Sequence, residues 1–248
     1  MGRRIIFHLP FHWIFLPLYI LLATPIAYTL LLAPAYILEW IPHWCSGATA
    51  LVWITMLLLS VSPFLGFVNI KIASKKKTME TLRYDYVVVW GIPVPVPRID
   101  LIEHESVIAV NVGGALIPLF NSGVMVYLAR CIPVNGVMAS ILLSVVVTTV
   151  YTFYSSKAVP GLGIVAPGLG IALVSLLTSV ITLRQGPVFI PAYVGATVGS
   201  LLGADVIRLL KDKDKLRDAL FLSIGGAGVF DGIYLSGAIA VALAVLAS

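Results

Sequence analysis

The sequence predicts an all-α polytopic membrane protein of about seven transmembrane helices, with broken or re-entrant segments and a small cytoplasmic β insert. Three observations predict it. Of 248 residues, 60% are hydrophobic and 11% charged, against about 25% charged in an average soluble domain, and the mean hydropathy is +1.04. Apolar runs at 12–38, 47–68, 107–129, 136–155, 164–183, 187–210 and 219–247 each reach the ~20 residues that cross a hydrocarbon core. The basic residues divide 14 against 2 between the two sides these runs define, with only Arg130 and Arg184 on the second side. A bias of that size predicts a cell-membrane protein with a cytoplasmic N-terminus and an extracytoplasmic C-terminus.

Residues 1–68 hold the first two spans. The start, "MGRRIIFHLPFHWIFLPLYILL", has the positive opening and apolar run of a signal peptide. The run is too long for one and ends without a small-residue cleavage site, so it reads as a retained span anchored by Trp13 and Trp40. Cys45 and Cys131 both fall on the predicted outside, where they either pair or serve as small packing residues.

Residues 69–106 form the insert. "YDYVVVW" and "PVPVPRI" alternate like strands, with Gly91 and Pro93 as the turn signal between them. Pro93, Pro95 and Pro97 occupy alternate positions, which suits an edge strand and excludes a central one. Lys75, Lys76 and Lys77 face lipid headgroups or water.

Residues 107–248 carry the remaining spans. "AVNVGGALIPLFNSG" (109–123) places Asn111, Gly113, Gly114 and Asn121 inside an apolar run. Irregular backbone at membrane depth must be buried in protein or line a wet cavity, so these four are candidate binding residues. "PGLGI" occurs twice between 160 and 171, as a re-entrant turn or as the start of the fifth span. Gly195, Gly199 and Gly203 recur every four residues on the sixth span, a face that lets another helix approach closely.

Several function classes are excluded. The net charge of +5 reports orientation and contact with membrane lipid; no aromatic-interleaved basic face suggests nucleic acid. All four histidines lie outside the spans without metal-ligand spacing, so no metal or other cofactor is expected. "GAGVFDG" (226–232) is not read as a dinucleotide fingerprint, since no strand is expected before it.

The chemistry rests on Asp205 and Asp231, the acids within the spans proper, because an intramembrane carboxylate is costly to retain. Asp205 lies six residues before Lys211, about 9 Å inside the cytoplasmic boundary of a helix. As one helix, 219–247 would measure about 43 Å, well beyond a ~30 Å core, whereas 229–247 measures about 28 Å. A break at "GGAG" would raise Asp231 to the depth of Asp205, which adds Gly225, Gly226 and Gly228 to the candidate site. Two carboxylates held close cannot both ionise; one then activates water while the other donates to a carbonyl oxygen. The same acids have plainer uses, Asp231 as a helix cap and Asp205 as partner to Arg208. They would equally serve a proton- or ion-coupled transporter of small solutes, or a non-catalytic scaffold.

"NVGGALIP" (111–118), "GAD" (203–205) and "GGAGVFDG" (225–232) resemble the motifs of an uncharacterised family of archaeal and bacterial polytopic membrane proteins. A looser resemblance is to the GxGD intramembrane aspartyl proteases, the presenilin, signal-peptide-peptidase and prepilin-peptidase group. That resemblance implies an aspartyl endopeptidase with Asp205 and Asp231 as its catalytic pair and a membrane-embedded peptide as substrate. The sequence departs from that group in reading GAGVFD where it has G-x-G-D, in placing Ala204 before Asp205, and in lacking a later proline-alanine-leucine motif. The oligomeric state stays open.

Overall fold

The chain is helical where apolar sequence is continuous and extended where apolar and polar residues alternate. The structure is a computed structural model that describes residues 5–7, 33–159, 163–184, 186–213, 216, 219, 221–226 and 232–246. Strand β1 (Ile5–Phe7) precedes a helical stretch at 33–39; the rest of the first apolar run lies outside the described residues. Helix α1 (Ala48–Leu65) is almost wholly apolar and stops at Gly66, with Pro63 in its last turn. Strands β2 (Val68–Val89) and β3 (Ile92–Asn111) follow, then α2 (Val112–Ala129) and α3 (Val137–Ser155). A small antiparallel pair, β4 (Lys157–Val159) and β5 (Gly163–Val165), leads into α4 (Gly168–Thr182). The chain continues through α5 (Phe189–Lys211), β6 (Phe221–Ile224) and α6 (Gly232–Leu246).

Two features of the expected class change. The protein is not all-α: among the described residues helix accounts for 58% and strand for about 25%. Among the described residues four helices, α1, α2, α3 and α5, are long and apolar enough to cross a membrane, while α4 and α6 are shorter apolar helices. At 15 residues each they rise about 22 Å, short of the ~30 Å core. The runs at 107–129, 164–183 and 219–247 each begin as strand. The first two have β-branched starts that fit a sheet as well as a helix, and all three find a strand partner.

The insert is a ribbon of 22 and 20 residues, about 70 Å long at strand rise. Its register runs from Asn69↔Asn111 at the base to Val89↔Ile92 at the tip, with one irregularity between Lys71 and Ala73. Trp90 and Gly91 close the tip with φ of 56° and 81°, the two left-handed residues of a type I′ turn. Among the described residues only the base has further partners: β1 pairs antiparallel with 68–70, and β6 pairs parallel with 107–110. The sheet order is β1-β2-β3-β6.

In the bundle, α5 lies against α2, α3, α4 and α6, and its Phe189, Ile190 and Tyr193 are fully buried. Gly195, Gly199 and Gly203 receive α3 and α4. A Cβ on Gly199 would lie 2.7 Å from Thr148 Cβ, and one on Gly195 would meet the Ser144 and Ser175 hydroxyls. Hydroxyls tie the same helices together. Ser144 Oγ and Ser175 Oγ are 2.9 Å apart, Ser175 donates to the Ala192 carbonyl at 2.7 Å, and Ser122 meets Thr197 at 2.7 Å. At the bundle end opposite the ribbon, Cys45 and Cys131 form a disulfide, the pairing that the sequence left open.

Candidate functional site

Two π-helical segments converge on Gly225. The first, Val112–Leu116, opens α2. Asn111 caps it by accepting from Gly114 N–H at 2.7 Å. The second, Leu201–Arg208, lies within α5 and carries Asp205. Such bulges widen a helix turn and re-aim its side chains, and they recur at functional positions. The sequence pointed to irregular backbone at the first, through Asn111, Gly113 and Gly114, but not to its π form, and it did not mark the second.

Gly225 N–H donates to Asp205 Oδ2 at 2.5 Å. Gly225 and Gly226 have φ of 87° and 76°, a left-handed conformation that ends β6 and keeps the seventh apolar run from being one helix. A Cβ on Gly225 would also lie 2.5 Å from Ala115 Cβ and 2.7 Å from Ala115 N. Glycine is therefore required there twice, by conformation and by space.

Behind this contact lies a buried polar junction at the ribbon base. Asn111 Nδ2 donates to the Gly66 carbonyl at 2.6 Å and to Asn69 Oδ1 at 3.1 Å. Ser223 Oγ donates to the same Asn69 oxygen at 2.7 Å. Gly113 fits between α1 and β2, where a Cβ would meet the Ser62 carbonyl and stand 2.8 Å from the Leu65 carbonyl carbon. Ser62 in turn donates to the Gly113 carbonyl at 2.5 Å. The junction fixes the start of α2 against the end of α1 and holds β6 beside β3.

Of the sequence-predicted residues, Asn111, Gly113, Gly114, Gly225 and Asp205 thus meet in one region. Gly226 lines a cavity of about 130 Å³ beside it, together with Ser200, Asp205, Ser223 and Gly232. Asn121 is elsewhere, buried between α1 and α2 and donating to the Thr55 carbonyl at 3.3 Å. Gly228 and Asp231 lie outside the described residues, though Gly232, the residue after Asp231, is on the cavity wall. Asn69 and Ser223 were missed. Asn69 stands where an apolar run meets the charged insert and reads there as an ordinary boundary residue.

Two local expectations are corrected. Arg208 pairs with Asp212, Nε to Oδ2 at 2.6 Å, rather than with Asp205; one helical turn suits that pair while Asp205 accepts from Gly225. A strand, β6, does precede "GAGVFDG", because 221–224 pairs with β3. That alone makes no dinucleotide site, since among the described residues no βαβ unit follows. Nor do those residues include a cluster of three or more His, Cys, Asp or Glu able to hold a metal.

A family model described as Protein of unknown function (DUF1614) matches residues 64–243, from the end of α1 through most of α6. The chain belongs to that family. The match takes in the whole ribbon and the junction residues Gly66, Asn69, Asn111, Gly113 and Ser223; Ser62 lies just before it. No curated protein and no solved structure matches the chain.

Proposed function

We propose that the chain is a diaspartyl intramembrane endopeptidase that hydrolyses peptide bonds near the cytoplasmic membrane face, with Asp205 and Asp231 as its carboxyl pair. The observation that carries this reading is the cavity beside α5, which has the Asp205 carboxyl group on one wall and the chain neighbour of Asp231 on another. In such a pair the ionised carboxylate takes a proton from water, and the resulting hydroxide adds to the peptide carbonyl carbon. The protonated carboxyl donates to the carbonyl oxygen, and the tetrahedral species collapses as the amine leaves with a proton. β6 supports the reading further. It is the outer strand of its sheet among the described residues and runs along the same cavity, where an extended peptide could add as a further strand.

The orientation belongs to the same proposal. The 14-to-2 division of basic residues puts the ribbon in the cytoplasm, and the Cys45–Cys131 disulfide then falls on the oxidising side. Asp205→Asn and Asp231→Asn should each abolish cleavage of a membrane-embedded reporter peptide in proteoliposomes. Solute or proton flux that those substitutions remove, with no cleavage by the wild type, would replace the protease with a transporter.

A further inference from the structure

Beyond its base, nothing among the described residues covers the ribbon. Leu82, Tyr84, Tyr86 and Val88 share one face with Ile99 and Leu101, and all six are 57–71% exposed. The two edges of this distal half differ in a way that selects a partner. Across a two-residue turn, Val89 and Ile92 form a hydrogen-bonded pair. Leu82, Tyr84, Tyr86 and Val88 therefore point their N–H and C=O groups away from β3. Pro93, Pro95 and Pro97 stand opposite Val88, Tyr86 and Tyr84, the positions of β3 whose N–H would face outward. The β3 edge thus lacks donors where the β2 edge has them.

Lipid is a poor cover for this edge. Hydrocarbon would leave its backbone groups unsatisfied. Residues 68–111 hold six basic and five acidic residues, a net charge of 6 − 5 = +1, too little to draw the ribbon to anionic headgroups. A second copy of the chain satisfies both backbone and charge. We infer that two copies associate through their β2 edges, paired antiparallel about a two-fold axis at Tyr84.

The register follows from the chemistry. Outward-facing residues must meet outward-facing residues, so Tyr84 lies opposite itself and Leu82 opposite Tyr86 of the second copy. Arg83 then faces Asp85 of the second copy, twice over by symmetry. This extends an ion lattice already present on that face, Arg83–Asp100 at 3.8 Å, Arg98–Asp85 at 3.4 Å and Arg98–Asp100 at 3.6 Å. Centring on Asp85 would instead oppose two aspartates. Residues 75–77 fall past the turn of the second copy and so lie outside the paired register. The outer edges of the four-stranded assembly are both proline-bearing β3 strands. No third copy can add, and the assembly closes as a dimer rather than growing into a filament.

The test uses the full chain in detergent, with mass followed by sedimentation. Wild type should dimerise. Tyr86→Pro removes an outward N–H but no β2–β3 hydrogen bond, so it should give a folded monomer. Arg83→Asp and Asp85→Arg should each weaken the dimer about tenfold through like-charge pairs, and mixing those two variants should restore it. Tyr84→Cys should form a covalent dimer on oxidation. A wild type that stays monomeric, a Tyr86→Pro variant that dimerises as wild type does, or a charge-swapped mixture that stays apart would overturn the inference. The mixture decides the matter even if the proline variant misfolds.

Discussion

Glycine brings elements together both along the α3–α5 seam and around Gly113 and Gly225, but different atoms meet Gly195 and Gly199 on the seam than meet Gly113 and Gly225. Gly203, at the end of the seam, also faces the Thr149 carbonyl. At Gly195 and Gly199 the neighbours are chiefly side chains, Ser144, Ser175 and Thr148. Two hydroxyls along that seam, Thr148 Oγ1 and Thr152 Oγ1, make no hydrogen bond among the described residues. At Gly113 the neighbours are the backbone of Ser62, Leu65 and Gly66, and at Gly225 they include the backbone of Gly114 and Ala115. There the polar side chains are saturated, Asn111 alone making three hydrogen bonds. A stripe of small residues at helical spacing is thus a packing device. Glycines at a broken helix, ringed by satisfied amides and one carboxylate, hold a geometry.

Substitution should separate the two regions most sharply at the glycines. Gly113→Ala forces a Cβ onto backbone with nowhere to go, and we expect a loss of about 3 kcal/mol or more, seen as failure to yield a monodisperse protein. Gly199→Ala meets a side chain on a helix that can shift by tenths of an ångström, and should cost about 1–2 kcal/mol in detergent unfolding. Equal losses at the two positions would erase the distinction.

The two candidate asparagines give the next largest contrast. Asn111→Ala strands the Gly66 carbonyl and Gly114 N–H in a buried site, for an expected cost of about 2–3 kcal/mol. Asn121 donates to the Thr55 carbonyl at 3.3 Å and to the Tyr193 hydroxyl, and its Oδ1 has no partner among the described residues, so Asn121→Ala should cost less, about 1–2 kcal/mol. Thermal unfolding of both variants under the same detergent checks the order.

What the sequence made legible follows the same division. Alternation and the proline positions announced the hairpin, and the Gly91 turn falls where expected. Helical rise gave a reason for the run at 219–247 to break, without requiring it. Irregular backbone was expected around Gly113, but the π form of the two segments was not, because it depends on tertiary contacts rather than residue type. The parallel pairing of β6 with β3 joins residues more than a hundred positions apart, and four apolar residues cannot declare a strand by periodicity. Asp205 was found because a lone intramembrane acid is conspicuous, yet its partner in the described structure, a backbone N–H, has no signature in sequence.

The smallest effect lies at the ribbon base, where Lys71 Nζ donates to Glu105 at 2.5 Å. That bond, a second from Ser74 and the lysine charge hold the Glu105 carboxyl below its usual value of 4.5. A depressed folded-state pKa means the contribution is complete above the ordinary carboxylate range and fades as pH falls through the lowered value. Amide protection at 71–76, measured relative to the intrinsic exchange rate at each pH, should therefore fall only below about pH 4, and Glu105→Gln should flatten that dependence. Unchanged exchange across the window would leave the pair without a role in holding the ribbon.

The disulfide at the far end of the bundle changes what a cut in the ribbon can do. Cys45 and Cys131 are 86 residues apart, and α1, both ribbon strands and α2 all lie between them. The four elements form a covalent ring with the hairpin as its most exposed arc. A protease that nicks the ring at the tip does not divide the molecule. On a non-reducing gel the nicked chain should run as one piece, and only a reductant should release the fragments. Clipping the ribbon is thus a way to remove its tip while α1 and α2 stay joined, because the ring has been opened without being emptied.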